Sequence, residues 1–219
     1  MREGYSCPAC DGSLRYQAQA QTLVRSLSRD GASSVAELAA EERFRSLAIY
    51  EPGTLGPFRD LLGPLPDYTT SAYWPDVDEG DDRDGLRCEN LMHLTFDDGR
   101  FDLVITSDIF EHVRKPFDGF GEIRRVLRPG GIHVFSVPVA HPFPERSVAR
   151  VDTSTDEDVM VLEPRFHNGH LVYTDFGRDL LGRLGEIGTP TETVRFDSPD
   201  PVLRRVITFR SRRTSERAT

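Results

Sequence analysis

The residues best suited to chemistry form one short run, Asp108-Ile109-Phe110-Glu111-His112. In a helical turn, positions i, i+3 and i+4 share a face, so Asp108, Glu111 and His112 can converge. An imidazole titrates near neutrality, and a neighbouring carboxylate can hold its tautomer, which is the equipment of a general base. The plainer reading is that Glu111 and His112 only fix the loop that carries them. His141, His167 and His170 follow later, and His141 lies just past a predicted strand, which favours a place in a pocket. His112 and His141 are therefore the candidate catalytic residues, and no metal is expected among them. Cys7-Pro8-Ala9-Cys10 has the spacing of one zinc knuckle. A structural zinc needs four ligands, and one knuckle supplies two. The third cysteine, Cys88, falls in a predicted strand, so less than stoichiometric zinc is expected. An odd, low cysteine count also argues against a disulfide framework.

Such side chains need a frame, and from Leu47 the chain alternates apolar runs with amphipathic ones. Strands are predicted at Leu47–Tyr50, Tyr68–Tyr73, Leu86–Cys88, Phe101–Thr106 and Ile132–Val137. Helices are predicted at Phe58–Leu62 and Pro116–Leu127, the second stopped by Arg128-Pro129-Gly130-Gly131. Thr174 is expected to cap a helix over Asp175–Leu184. Two last strands, Glu192–Phe196 and Val202–Phe209, are joined by Asp197–Asp200, too short for a crossover, so they should form an antiparallel hairpin. Alternating strands and helices indicate βαβ units with right-handed crossovers. The expected fold class is α/β, a Rossmann-like parallel sheet with a terminal antiparallel hairpin. Residues 1–46 read as a knuckle remnant and a helical N-terminal cover, in which Ser34 caps a helix, and residues 47–219 as the α/β domain. Ligands of open α/β sheets bind beyond the carboxyl ends of the strands. That rule gathers Glu51–Gly56, Ser71–Trp74, Asn90-Leu91 and Thr106–His112 at one end of the sheet. The long acidic segment Val151–Pro164 is placed to cover a substrate.

Composition narrows the partners. The 219 residues carry a formal net charge of −9, with Asp76, Asp78, Glu79, Asp81, Asp82 and Asp84 clustered. An acidic surface repels phosphate backbones, so nucleic acid is excluded as the expected substrate. The longest apolar runs are too short to cross a bilayer, and no signal-peptide pattern opens the chain. A cytoplasmic protein acting on a small molecule is expected.

Several of these segments resemble one family. Phe101-Asp102-Leu103-Val104-Ile105-Thr106-Ser107-Asp108-Ile109-Phe110-Glu111-His112-Val113 is similar to the fourth motif of class I S-adenosylmethionine-dependent methyltransferases of small-molecule type. Val126-Leu127-Arg128-Pro129-Gly130-Gly131 resembles the segment that follows it, and Leu91–Phe96 with Asp97-Asp98-Gly99 resembles the approach to it. The resemblance implies S-adenosylmethionine as cofactor and methyl transfer to oxygen or nitrogen of a small acceptor. It also implies that Glu51, Pro52, Gly53 and Thr54 hold the methionine and ribose side. Ser71 and Tyr73 would flank the adenosine, Asn90 and Leu91 would contact adenine, and Thr106, Ser107 and Asp108 would approach the donor from below. Two departures stand out. The first motif, Glu51-Pro52-Gly53-Thr54-Leu55-Gly56, has one glycine displaced, and Ser71 or Ala72 stands where the family places a ribose-binding carboxylate. The eroded motifs leave a second reading, a catalytically weak methyltransferase-like scaffold or regulator.

Overall fold

The computed structural model describes residues 6–7, 12–200 and 203–214, so Cys10 and most of the knuckle lie outside the described residues. The first element is helix α1, Leu14–Leu27. Two single-turn helices follow, α2 (Val35–Leu38) and α3 (Glu42–Arg45). As expected, Ser34 caps α2, its hydroxyl accepting from the Glu37 N–H at 3.2 Å. Strand β1 (Ile49–Pro52), helix α4 (Pro57–Leu62) and strand β2 (Tyr68–Ala72) come next, then β3 (Asp82–Arg83), β4 (Leu86–Cys88) and β5 (Phe101–Ser107). Helix α5 (Pro116–Val126) runs directly into strand β6 (Leu127–Ser136).

Between β6 and helix α6 (Asp179–Glu186) the chain makes six two-residue strands. They are β7 (Val148–Ala149), β8 (Val151–Asp152), β9 (Val159–Met160), β10 (Phe166–His167), β11 (His170–Leu171) and β12 (Thr174–Asp175), pairing β7 with β12, β8 with β9 and β10 with β11. Strands β13 (Thr191–Arg195) and β14 (Ile207–Arg212) close the chain.

The main sheet has eight strands in the order β13-β14-β6-β5-β1-β2-β4-β3. The run β6-β5-β1-β2-β4 is parallel, and β14 and β13 add on antiparallel beyond β6. This is the expected Rossmann-like sheet with its terminal hairpin. Both faces are covered, as period-two alternation requires. Tyr50, Val104 and Phe135 join the core under α5 and α6, with Phe120, Ile123, Leu180 and Leu184. Ile49, Leu103, Ile105 and Val134 join the opposite core, with Leu23, Leu38, Phe44, Phe58 and Leu62.

Three sequence expectations need correction. Arg128–Gly131 does not separate helix from strand: β6 starts at Leu127, and the register against β5 slips between Phe101 and Leu103 to absorb the extra residues. Thr174 is not a helix cap. It pairs with Ala149 in β12, and the helix begins five residues later, because Gly177 must pass within contact of the Arg146 backbone first. The last strand starts at Ile207, since Leu203–Arg205 form a 3-10 turn after the hairpin's loop.

The segments that looked familiar serve first as scaffold. The Asp102 carboxylate accepts from the Ala48 N–H at 2.9 Å and from Arg128 at 2.5 Å, tying β1, β5 and the start of β6. Arg125 reaches the carbonyls of Phe96 and Leu94, each at 2.7 Å, and the carboxylates of Asp98 and Glu122, each at 2.8 Å. A charged, multidentate guanidinium is suited to hold an irregular loop in one place. No helix among the described residues is long and apolar enough to cross a membrane.

Candidate active site

The carboxyl ends of β1, β2, β4 and β5 carry the residues singled out above. Glu51 ends inside β1, buried, with Tyr68 donating to its Oε2 at 2.7 Å. Burial pushes its carboxyl up to about 7, against the lowering effect of the Tyr68 hydrogen bond and Arg59. Pro52 completes the strand. Gly53 turns at φ +105, and a Cβ there would touch only Ile109 Cδ1, at 3.9 Å, so the backbone lies open on that side. The Thr54 carbonyl is held by Arg59 at 2.9 Å, and Leu55 projects 86% exposed. Ser71 is buried with its hydroxyl bonded to Tyr50 at 2.7 Å, whereas Tyr73 is 57% exposed beyond it. After β4, Asn90 Oδ1 accepts from the Met92 N–H at 3.0 Å, while Leu91 packs into the core. The preceding carboxylate, Glu89, is consumed by Arg87 and by the Thr95 N–H and hydroxyl.

Helix α1 lies across the end of β5. Gln19 donates to the Thr106 carbonyl at 2.9 Å and accepts from the Ser107 hydroxyl at 2.9 Å. The Thr106 hydroxyl meets His133 Nε2 at 2.9 Å, and burial holds that imidazole down to about 3, hence neutral. Asp108 sits at φ +52, an unusual backbone for a residue with a side chain. Its carboxylate pays for that position by accepting from Arg15 at 2.9 Å and Ser136 at 2.7 Å.

The 3-10 turn Phe110–His112 follows. Glu111 is 1% exposed, and Oε1 accepts from His167 Nδ1 at 2.9 Å. Burial raises the Glu111 carboxyl above its ordinary value, and that carboxylate in turn pulls His167 up. His112 Nδ1 meets the Leu171 carbonyl at 2.7 Å, so Nδ1 carries the proton and Nε2 is left as the basic nitrogen, 3.6 Å from Glu111 Oε1. The Tyr173 N–H also donates to the Glu111 carbonyl, at 2.7 Å. His141 is exposed in the loop after β6, where the chain passes through a cis peptide to Pro142.

The partner His167 comes from 56 residues away, and the helical spacing of Asp108, Glu111 and His112 does not announce it. A signal was present. Asn168 and Gly169 both have positive φ, +51 and +83, which is the Asn-Gly turn of a two-residue hairpin, and it sets His167 opposite His170. Both rings then face His112, with centroids 5.7 and 5.6 Å away.

An open cleft of about 710 Å³ is lined among others by Arg114, Lys115, Phe117, Thr153, Tyr173 and Arg183; Glu111, His112 and His167 are not in its lining.

A family profile described as a methyltransferase domain matches residues 74–135, the stretch from β2's end to β6. That stretch of the chain is similar to the methyltransferase domain. The profile match and the fold both point to a methyltransferase-type domain. Among solved structures, the fold is similar to an S-adenosylmethionine-dependent methyltransferase from Mesorhizobium loti, with a TM-score of 0.54 and 18% identity over 91% of this chain and 100% of that one. It is also similar to a chain in the complex between the Haloferax volcanii Trm112 methyltransferase activator and a methyltransferase, with a TM-score of 0.52 and 14% identity over 93% and 96%. No curated protein matches the chain.

The end of the sheet fits the methyltransferase cofactor in its backbone more than in its side chains. The open turn at Gly53 and the buried acid at Glu51 are in place. The last two positions of β2 offer no carboxylate: Ser71 is committed to Tyr50 and Ala72 has no polar side-chain atom.

Proposed function

We propose that this methyltransferase acts on oxygen or nitrogen of a small-molecule acceptor seated against the turn Asp108–His112. The observation that carries the reading is the Glu111–His112–His167 cluster, held at the end of β5 next to Ile109, whose side chain faces the open turn at Gly53. S-adenosylmethionine supplies an electrophilic methyl group. Glu51, Pro52, Gly53 and Thr54 receive its amino-acid end, and Ser71, Tyr73, Asn90 and Leu91 line the adenosine side. Thr106, Ser107 and Asp108 form the floor, which α1 makes rigid through Gln19 and Arg15. Methyl transfer is an in-line displacement, so alignment of donor and acceptor is the larger part of the catalysis. An oxygen or ammonium acceptor must also lose a proton. His112 Nε2 is the base, and the nearby Glu111 carboxylate stabilises the imidazolium that forms. His141 is the alternative base on the loop after β6.

Binding of S-adenosylhomocysteine, read as a rise in melting temperature and by calorimetry, tests the donor side. A clear shift with this ligand and none with NADH is expected. No shift at millimolar ligand, or a shift with NADH instead, overturns the reading. Release of S-adenosylhomocysteine across a panel of phenols, carboxylic acids and amines then tests the acceptor class.

A further inference from the structure

We propose that Glu111, His112 and His167 form a binding site for one divalent transition-metal ion of the zinc type. One carboxylate oxygen and two imidazole nitrogens are offered, one per residue, all lying within 4.8 Å of one another. Glu111 Oε1 stands 2.9 Å from His167 Nδ1 and 3.6 Å from His112 Nε2. An ion bonded at about 2.1 Å to each of three ligands in tetrahedral array separates them by about 3.4 Å. The two spacings around Glu111 are therefore within about half an ångström of that value, and the two histidine nitrogens, within 4.8 Å of each other, would close by a side-chain rotation.

Three further observations point to a ligand. Glu111 Oε2 is buried and has no hydrogen-bond partner, although a buried carboxylate oxygen left unpaired is costly. An ion held by both oxygens of the carboxylate would satisfy it. His112 gives Nδ1 to the Leu171 carbonyl, the outer hydrogen bond that orients metal-binding imidazoles and leaves the Nε2 lone pair pointing inward. The two histidine rings lie nearly parallel, at 20°, as two imidazoles reaching the same point from neighbouring segments can.

The donor set selects the ion. Two nitrogens and one oxygen suit zinc, cobalt or nickel. Magnesium and calcium prefer oxygen alone. Asp108 is not part of the set, because its oxygens are engaged by Arg15 and Ser136. Three protein ligands leave a position open, the arrangement of catalytic rather than structural zinc. The ion would also pin the β10–β11 hairpin to the 110–112 turn. Where it is bound, it takes over from His112 Nε2 the task of ionising an acceptor hydroxyl. That last statement rests on the acceptor reading above, and the metal site does not.

The test uses the full-length protein stripped with a chelator and titrated with Zn²⁺ by calorimetry and with Co²⁺ by visible absorption. Cys7→Ser/Cys10→Ser is the background, so that the N-terminal cysteines cannot contribute. One ion per chain is expected, with His112→Ala and His167→Ala each weakening it by about tenfold or more and His93→Ala leaving it unchanged. His167 lies at a partly exposed hairpin, so its variant keeps the fold, and an unchanged melting temperature in the absence of metal verifies this. Absence of saturable binding overturns the proposal, as does binding that survives the His112→Ala/His167→Ala double change. Because the readout is stoichiometry and spectrum, failure of S-adenosylhomocysteine to bind would count against the methyl-transfer reading and leave this result untouched.

Discussion

Glu51, at the proposed donor end of the site, couples stability to pH. Its carboxyl ionises near 4.5 in an unfolded chain and at about 7 in the fold, because burial disfavours the charge. Below the first value both states are protonated and nothing is lost. Between the two, only the unfolded chain gives up its proton, so stability falls as pH rises and levels off once the folded carboxyl has also ionised. The full fall amounts to about 3 kcal/mol. Glu51→Gln keeps an acceptor for the Tyr68 hydroxyl and removes the charge. We expect urea midpoints of the wild type to drop between pH 5 and 7 by more than those of the variant. A parallel pair of curves would show that Glu51 ionises normally. At the neighbouring strand end, Ala72→Glu would supply the ribose carboxylate that the proposed cofactor site lacks. Tighter binding of S-adenosylhomocysteine, by about tenfold to a hundredfold, is expected from one charge-assisted hydrogen bond. Unchanged affinity in a folded variant would mean that the side chain at 72 does not face the ribose.

Among the elements, the entry to α6 has the tightest fit. A Cβ on Gly177 would lie 2.2 Å from the Arg146 carbonyl carbon and 2.5 Å from its oxygen. The Gly177 N–H donates to the Ser147 hydroxyl at 2.9 Å, and Asp179, the first residue of α6, accepts from the Ser147 N–H at 2.7 Å. Gly177→Ala must force this loop off the helix, with a cost of about 1–3 kcal/mol. Chemical denaturation should register it, and a variant as stable as the wild type would mean the loop yields freely. This clasp also explains the misread helix start. Thr174-Asp175 has the composition of a cap, yet its backbone groups are taken by β7, a pairing across 25 residues that local pattern cannot reveal. Strands β1, β2, β4 and β5 were legible because each is an apolar or β-branched run bounded by turn residues. Segment 128–131 was not, since Pro129 and Gly130 signal a break while the sheet carries them as an irregularity in β6. In the site, Asp108, Glu111 and His112 were legible by spacing, and the role of Asp108 was not. Its carboxylate answers to Arg15, 93 residues earlier.

At the scale of the whole molecule, α1 is the part most dependent on everything else. Its side chains reach Thr106 and Ser107 in β5, Asp108 after it, and Thr208 in β14, where the Thr22 and Thr208 hydroxyls meet at 2.7 Å. Arg15→Ala would remove the Arg15 guanidinium from the buried Asp108 carboxylate. Breaking such a pair from one side costs about 3–5 kcal/mol. We expect a large loss in melting temperature, recovered in part by Asp108→Asn in the same chain, and no recovery would mean that Arg15 acts on something other than that carboxylate.

The same contacts set an order in time. The chain leaves the ribosome from its amino end, so residues 14–27 are made before β14, and the Thr22 hydroxyl waits for Thr208, 186 residues later. Contacts this distant along the chain close late, after the loop between them has been organised. Helix α1 therefore finds its first partners only when β5 is made and its last only when β14 is. Nascent chains arrested before β14 is out should be cut readily by protease within residues 14–27, and chains arrested well past it should not. Equal protection of both would place the docking of α1 before the hairpin, on β5 and β6 alone.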